Sequence, residues 1–128
     1  MKRTSIYVEG FTHAGQPVPA ATRIGNTVAT GGIWGFDIAT GSTPPEPDRQ
    51  CQFMFANLAR VLAAAGLSLD DILRLRVYVA PDVDKASLNR RWLEAFPDRN
   101  SRPARHVVVN EHLRDGALMV CEALAIRD

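Results

Sequence analysis

Apolar positions in the middle of the chain recur at helical spacing. Cys51, Met54, Phe55, Leu58, Val61, Leu62 and Ala65 follow one another at steps of three and four, which places them on one stripe of a helix predicted from about Asp48 to Ala65. Gly66 supplies its stop. After Ser68-Leu69-Asp70-Asp71 the period changes to two. Leu73, Leu75, Val77 and Val79 fall on one side, and Arg74, Arg76 and Tyr78 on the other, as in a strand with one wetter face. A second, shorter helix capped by Asp82 or Asp84 carries Leu88, Trp92, Ala95 and Phe96 as its stripe and ends at Pro97. Two further strands are predicted, Arg105 to Asn110 and Ala117 to Ile126, around the polar turn Glu111-His112-Leu113-Arg114-Asp115-Gly116. Upstream, Thr27-Val28-Ala29-Thr30 reads as a strand stopped by Gly31-Gly32, with Ile33-Trp34-Gly35-Phe36 behind it. The breaker-rich stretch from Asp37 through Pro44-Pro45-Glu46-Pro47 reads as a surface loop rather than a domain linker. Strands, helix, strand, helix and two strands make one α+β domain.

The final strand is apolar on both faces. Leu118, Val120, Leu124 and Ile126 occupy one, and Ala117, Met119, Cys121, Ala123 and Ala125 the other. Two helices cover only one face of a single sheet, so the second face needs another cover. In a chain this small, a further copy of itself is the expected one, and the pattern predicts a homo-oligomer.

Length and composition narrow the function classes. A chain of 128 residues fits a single domain. No apolar run is long enough to span a membrane, and Ile6-Tyr7-Val8-Glu9-Gly10 is too short and polar for the core of a signal peptide, so a cytoplasmic protein is expected. Fifteen basic residues against 14 acidic leave a net charge of +1, with the basic residues scattered rather than massed on one element. That distribution argues against a nucleic-acid partner. Cys51 and Cys121 lie in apolar patterns, which suits reduced core thiols.

Few residues stand out as chemistry. Glu122 interrupts the face of Leu118, Val120, Leu124 and Ile126, where a desolvated carboxyl is raised in pKa unless a cation or hydrogen-bond donors compensate. It reads equally as an acid at a sheet edge satisfied by water or a structural arginine, and as a functional group. Arg105 opens a strand two residues after Pro103, at the rim of the sheet, where a planar guanidinium can hold a carboxylate by two parallel hydrogen bonds. Read alone it is also compatible with a surface arginine, as is Arg102 in the preceding loop. Gly31-Gly32 can offer backbone N–H groups to an anion, yet they match no phosphate-loop or dinucleotide fingerprint, and a plain tight turn fits them as well. His13, His106 and His112 show no metal-ligand spacing with one another or with the cysteines, and no nucleophile signature is present, so neither metal nor covalent catalysis is expected. Trp34 and Trp92 read as core or interface aromatics.

Taken together, Gly25-Asn26-Thr27-Val28-Ala29-Thr30-Gly31-Gly32, Ala56-Asn57-Leu58, Ala64-Ala65-Gly66-Leu67, Asp70-Asp71-Ile72, Asn89-Arg90-Arg91-Trp92, Phe96, Arg102-Pro103-Ala104-Arg105 and Cys121-Glu122-Ala123-Leu124-Ala125 resemble the Rid (YjgF/UK114) family of enamine and imine deaminases over nearly the whole chain. The resemblance implies a chorismate-mutase-like fold, a single sheet with two helices on one face, assembled as a homotrimer with clefts between neighbouring subunits. It implies that Arg105 grips the substrate carboxylate and that Glu122 positions or activates the hydrolytic water. Gly32 is then the backbone donor beside that water, Ala104 and Gly31 border the substrate, and Asn89 is structural. The implied chemistry is hydrolysis of small carboxylate-bearing imines or enamines to a 2-keto acid and ammonia, with no cofactor.

Two departures touch the implied pocket. A family tyrosine upstream has no counterpart in Pro17-Val18-Pro19-Ala20, and the serine usual before the turn glycine is Gly31. Both remove hydroxyls, which predicts a roomier, less polar pocket shaped at Val18 and by Trp34 or Phe36, and a larger amino-unsaturated substrate. A non-catalytic module that binds keto acids or related metabolites is the competing expectation. The ribonuclease reading also attached to the family is disfavoured by the balanced charge.

Overall fold

The computed structural model describes residues 1–114 and 116–128; Asp115, within the polar turn predicted after the sixth strand, lies outside the described residues. Seven strands, β1 (Thr4–Ile6), β2 (Ala21–Ile24), β3 (Thr27–Thr30), β4 (Ile33–Trp34), β5 (Ile72–Val79), β6 (Ala104–Val109) and β7 (Met119–Ile126), form one mixed sheet with helices α1 (Pro47–Ala64) and α2 (Ala86–Ala95) packed on it. The sheet runs β1-β2-β3-β7-β5-β6, with β4 also pairing β7. Only β5 and β6 are parallel, and α2 supplies the crossover that a parallel pair requires. The α+β class and the single sheet with its two helices are as expected. β1 and β2 are strands that the sequence pattern did not indicate. They are short and mixed in polarity, and β2 is held by its hairpin with β3, where Gly25 takes the positive φ of 60° that the tight turn demands.

α1 buries the predicted stripe and two polar residues with it, Gln50 and Asn57. Pro47 sits in its first turn, where a missing N–H costs nothing. Its C-terminus closes as the sequence suggests: Gly66, at φ 80°, donates to Ala63 O, and Leu67 N–H donates to Leu62 O at 2.8 Å, so otherwise orphaned carbonyls are satisfied.

Neither acid proposed to cap α2 occupies the cap, which is Lys85. Asp84 lies one residue earlier and accepts the Ala86 N–H at 2.9 Å, whereas Asp82 takes a positive φ of 65° in the turn before it.

β5 corrects the strict alternation read from the sequence. A bulge between Ile72 and Arg74 gives β5 one residue more than β7 opposite. Ile72, Leu75, Val77 and Val79 are therefore buried, and Leu73, expected among them, is 58% exposed.

The core lies between the helices and one sheet face. Met119, Cys121, Ala123 and Ala125 of β7 are buried there, while Val120, Glu122 and Leu124 on the opposite face stay half-buried and Ile126 is exposed. Within the chain, then, one face is covered and the other open. No helix among the described residues is long and apolar enough to cross a membrane.

Candidate functional site

Glu122 stands on the open face, and cross-strand register decides its company. β7 pairs β5 so that Glu122 faces Arg76 and Val120 faces Tyr78. Arg76 Nη1 donates to Glu122 Oε1 at 2.8 Å, and the Tyr78 hydroxyl donates to the same oxygen at 3.2 Å. The cation and donor that an acid on an apolar strand needs are therefore both present, and both come from the wetter face of β5. Because both bonds converge on Oε1, Oε2 remains for water or a ligand.

On one side of Glu122 a groove of about 300 Å³ is lined by residues that include Gly32, His13, Trp34, Tyr78, Val120 and Arg114. On the other, a recess of about 210 Å³ is bounded by Thr30, Arg74 and Leu124. Trp34 floors the groove, 6% exposed and packed against Phe11 and Phe36. Its position is set from α1: buried Asn57 donates to Trp34 O and to Phe36 O, both at 3.0 Å. Gly35 lies between them because its backbone runs directly against the Gln50 carbonyl, leaving no room for a side chain. Buried Gln50 in turn donates to Gly116 O and accepts from Leu118 N–H, both at 2.9 Å, which ties the far wall of the groove to the same helix.

Gly32 borders this groove from the β3–β4 turn, whereas Gly31 beside it is not among the lining residues. Gly31 N–H donates to Ala20 O at 2.9 Å. A side-chain carbon at Gly31 would meet nothing nearer than His13 Nε2 at 3.6 Å, so the space left by the absent serine is faced by the His13 ring. Val18 is 46% exposed and is not among the residues bordering the groove.

Arg105 is elsewhere. In the β5–β6 register it pairs with buried Leu75, so its side chain rises on the helix-covered face at the outer edge of the sheet. There its guanidinium carbon lies 4.9 Å from the Trp92 ring centroid, and Nη2 donates to Asn89 Oδ1 at 2.9 Å. Nη1 is buried without a partner among the described residues. Burial pulls this guanidinium below its ordinary pKa, since desolvation disfavours the charged form. Among the described residues no acid offsets that penalty at the Arg105 head, and an incoming carboxylate would. Ala104, one residue before, falls on the opposite face in register with Arg74.

One chain thus does not bring Arg105 and Glu122 together, because they occupy opposite faces of the sheet. Arg76, Tyr78, His13 and Arg114 were not singled out from sequence. The first two alternate correctly on β5, but nothing local reveals that Glu122 lies across from them. The thiols are inert by burial: Cys51 is pushed up to about 12, and Cys121 is raised further by the same cause.

Fold and site define a small α+β protein with a held carboxylate on an open sheet face and, at the sheet's edge, a guanidinium with no carboxylate partner among the described residues. A profile of the family described as Endoribonuclease L-PSP matches residues 11–127. A RutC family protein of Haemophilus influenzae is 30% identical over 124 residues, 95% of each chain. The 2-iminobutanoate/2-iminopropanoate deaminase of Escherichia coli is 28% identical over 124 residues, covering 96% of this chain and 97% of its own. Among solved structures, the Escherichia coli YjgF gene product superposes with a TM-score of 0.88 at 28% identity, covering 98% of this chain and 99% of that one. Escherichia coli TdcF with bound serine gives 0.88 at 25% identity with the same coverage. The chain belongs to this family, the YjgF/RidA family.

Proposed function

We propose that the protein is a hydrolytic deaminase of carboxylate-bearing imines and enamines, working in clefts between the subunits of a homotrimer. The observation that carries this reading is the separation of its two groups. Arg105, with no acid beside it among the described residues, lies at one edge and Glu122 on the opposite face, so a cleft using both needs Arg105 from one copy and Glu122 from the next. The open face of β7 and β5, half-apolar and uncovered within the chain, is the surface such a neighbour would occupy. The names of the deaminase relatives and the amino acid bound by TdcF agree in substrate class.

In this reading Arg105 takes the substrate carboxylate through its fork and fixes the C=N carbon against a water held by Glu122 Oε2. Glu122 accepts a proton as the water oxygen bonds to that carbon, and the C=N π electrons move to nitrogen, which takes up a proton from solvent to complete the carbinolamine. Proton return from the carboxyl to nitrogen, loss of the hydroxyl proton to solvent and cleavage of the C–N bond then release ammonia and leave a 2-keto acid. The net change is imine plus water to keto acid plus ammonia. Arg76 and Tyr78 hold Oε1 and aim the carboxylate.

The test generates imines with an amino-acid oxidase in the presence of semicarbazide. Added protein is expected to suppress the semicarbazone signal, and Arg105→Ala to restore it. No suppression with any imine would refute the deaminase reading; suppression that survives Arg105→Ala would refute the anchor. Sedimentation should give a trimer.

A further inference from the structure

Two polar groups in the groove beside Glu122 have no role in that chemistry. Arg114 lies with its guanidinium carbon 3.5 Å from the Trp34 ring centroid, stacked on the aromatic floor. Stacking occupies one face of the guanidinium and leaves its N–H fork free in plane. Arg114 makes no ion pair and no side-chain hydrogen bond among the described residues, although Arg76, Arg90, Arg91 and Arg127 all do.

His13 is the second group. Its Nε2 lies 2.9 Å from Gly32 O, and since a carbonyl only accepts, Nε2 carries the hydrogen. In the neutral ring the lone pair is then on Nδ1, which is buried with no partner among the described residues. A fork of donors thus lines the groove, with the His13 ring in its wall and Tyr78 connecting it to Glu122.

The space is larger than a short aliphatic side chain fills. In the single chain the groove offers about 300 Å³ of open space. A methyl or ethyl group would leave most of that volume wet and Arg114 unused. A chain of several atoms ending in an anion would use both.

We propose that this groove is the side-chain subsite of the cleft and binds a second, distal carboxylate on Arg114, making imines and enamines of dicarboxylic acids the substrates. Trp34 and Tyr78 wall the groove with rings, which suits a flat, unsaturated chain between the two carboxylates. The proposal rests on the deaminase reading for turnover, but the subsite itself is tested by binding alone.

Imines made by oxidation of glutamate and of 2-aminobutyrate are compared for kcat/KM, again by loss of semicarbazone. The dicarboxylic imine is expected to be favoured by about tenfold or more, the worth of one charge-assisted fork. Arg114→Gln should bring the ratio near one, with Arg114→Lys between, because it keeps charge and loses the fork. A wild-type ratio near one, or a preference that survives Arg114→Gln, would overturn the proposal. Calorimetric binding of 2-oxoglutarate and 2-oxobutyrate gives the second arm, independent of catalysis. Tighter 2-oxoglutarate binding that Arg114→Gln removes supports the subsite even if no imine is hydrolysed. Equal affinity, or binding of neither acid, overturns it. Arg114 is exposed, so losing its stack on Trp34 should lower the melting temperature by only about a few degrees and leave the fold intact.

Discussion

Asn57 couples the fold to the groove, and Asn57→Ala measures that coupling. The side chain is 1% exposed, and its amide donates to Trp34 O and Phe36 O, each at 3.0 Å. Alanine strands both carbonyls in a region closed to water, and an unsatisfied buried acceptor costs about 1–3 kcal/mol. The two do not weigh equally. Trp34 O keeps a 3.3 Å bond from Phe36 N–H, so its loss falls at the low end, whereas Phe36 O has no other donor among the described residues. Together they amount to about 2–4 kcal/mol, a large share of the roughly 5–15 kcal/mol that holds a domain folded. Urea unfolding followed by far-ultraviolet circular dichroism should show the midpoint falling with the slope unchanged. Trp34 emission should also shift to the red within the native baseline as the groove floor loosens. A loss under about 1 kcal/mol, with unchanged emission, would refute the idea that Asn57 sets this floor.

Three further outcomes follow from the same packing. Gly35→Ala puts a methyl onto the Gln50 carbonyl of α1, and overpacking against backbone should lower stability by about 2 kcal/mol or more in the same titration; a neutral result would contradict the close approach. Arg91 first, then Arg90, hold the Asp48 carboxyl down to about 2 from its ordinary 3.8, so this tie between α1 and α2 contributes above the ordinary value and is lost as pH falls through about 2. The gap in urea midpoint between wild type and Asp48→Asn should therefore be full at neutral pH and close between about 4 and 2, and a gap that persists at the acid end would refute the linkage. Cys51 and Cys121 are both fully buried and held protonated, so a thiol-disulfide reagent at neutral pH should label neither until denaturant is added; rapid native labelling would show the core to open.

Periodicity along the chain determines what is local. The stripe from Cys51 to Ala65, the glycine stop at Gly66 and the two-residue alternation of the last strand depend on which side of a helix or strand a residue faces. Each follows from 3.6 or 2 residues per repeat. The two-faced apolar pattern of the last strand likewise raises, before any fold is known, the expectation of a cover from outside the chain, and the structure leaves that face open. What the sequence cannot set is register. Glu122 meets Arg76 and Tyr78 only because β7 lies beside β5 in one particular pairing, and a slip of one residue would send every one of these side chains to the other face. The bulge that turns Leu73 outward arises from the same pairing. Arg105 and Glu122, near neighbours in any list of candidates, are assigned to opposite faces by two strand registers, with Leu75 and Arg76 as the partners that decide it. Long-range pairing energy, rather than local preference, makes that choice, and it sets the two residues where one chain does not bring them together.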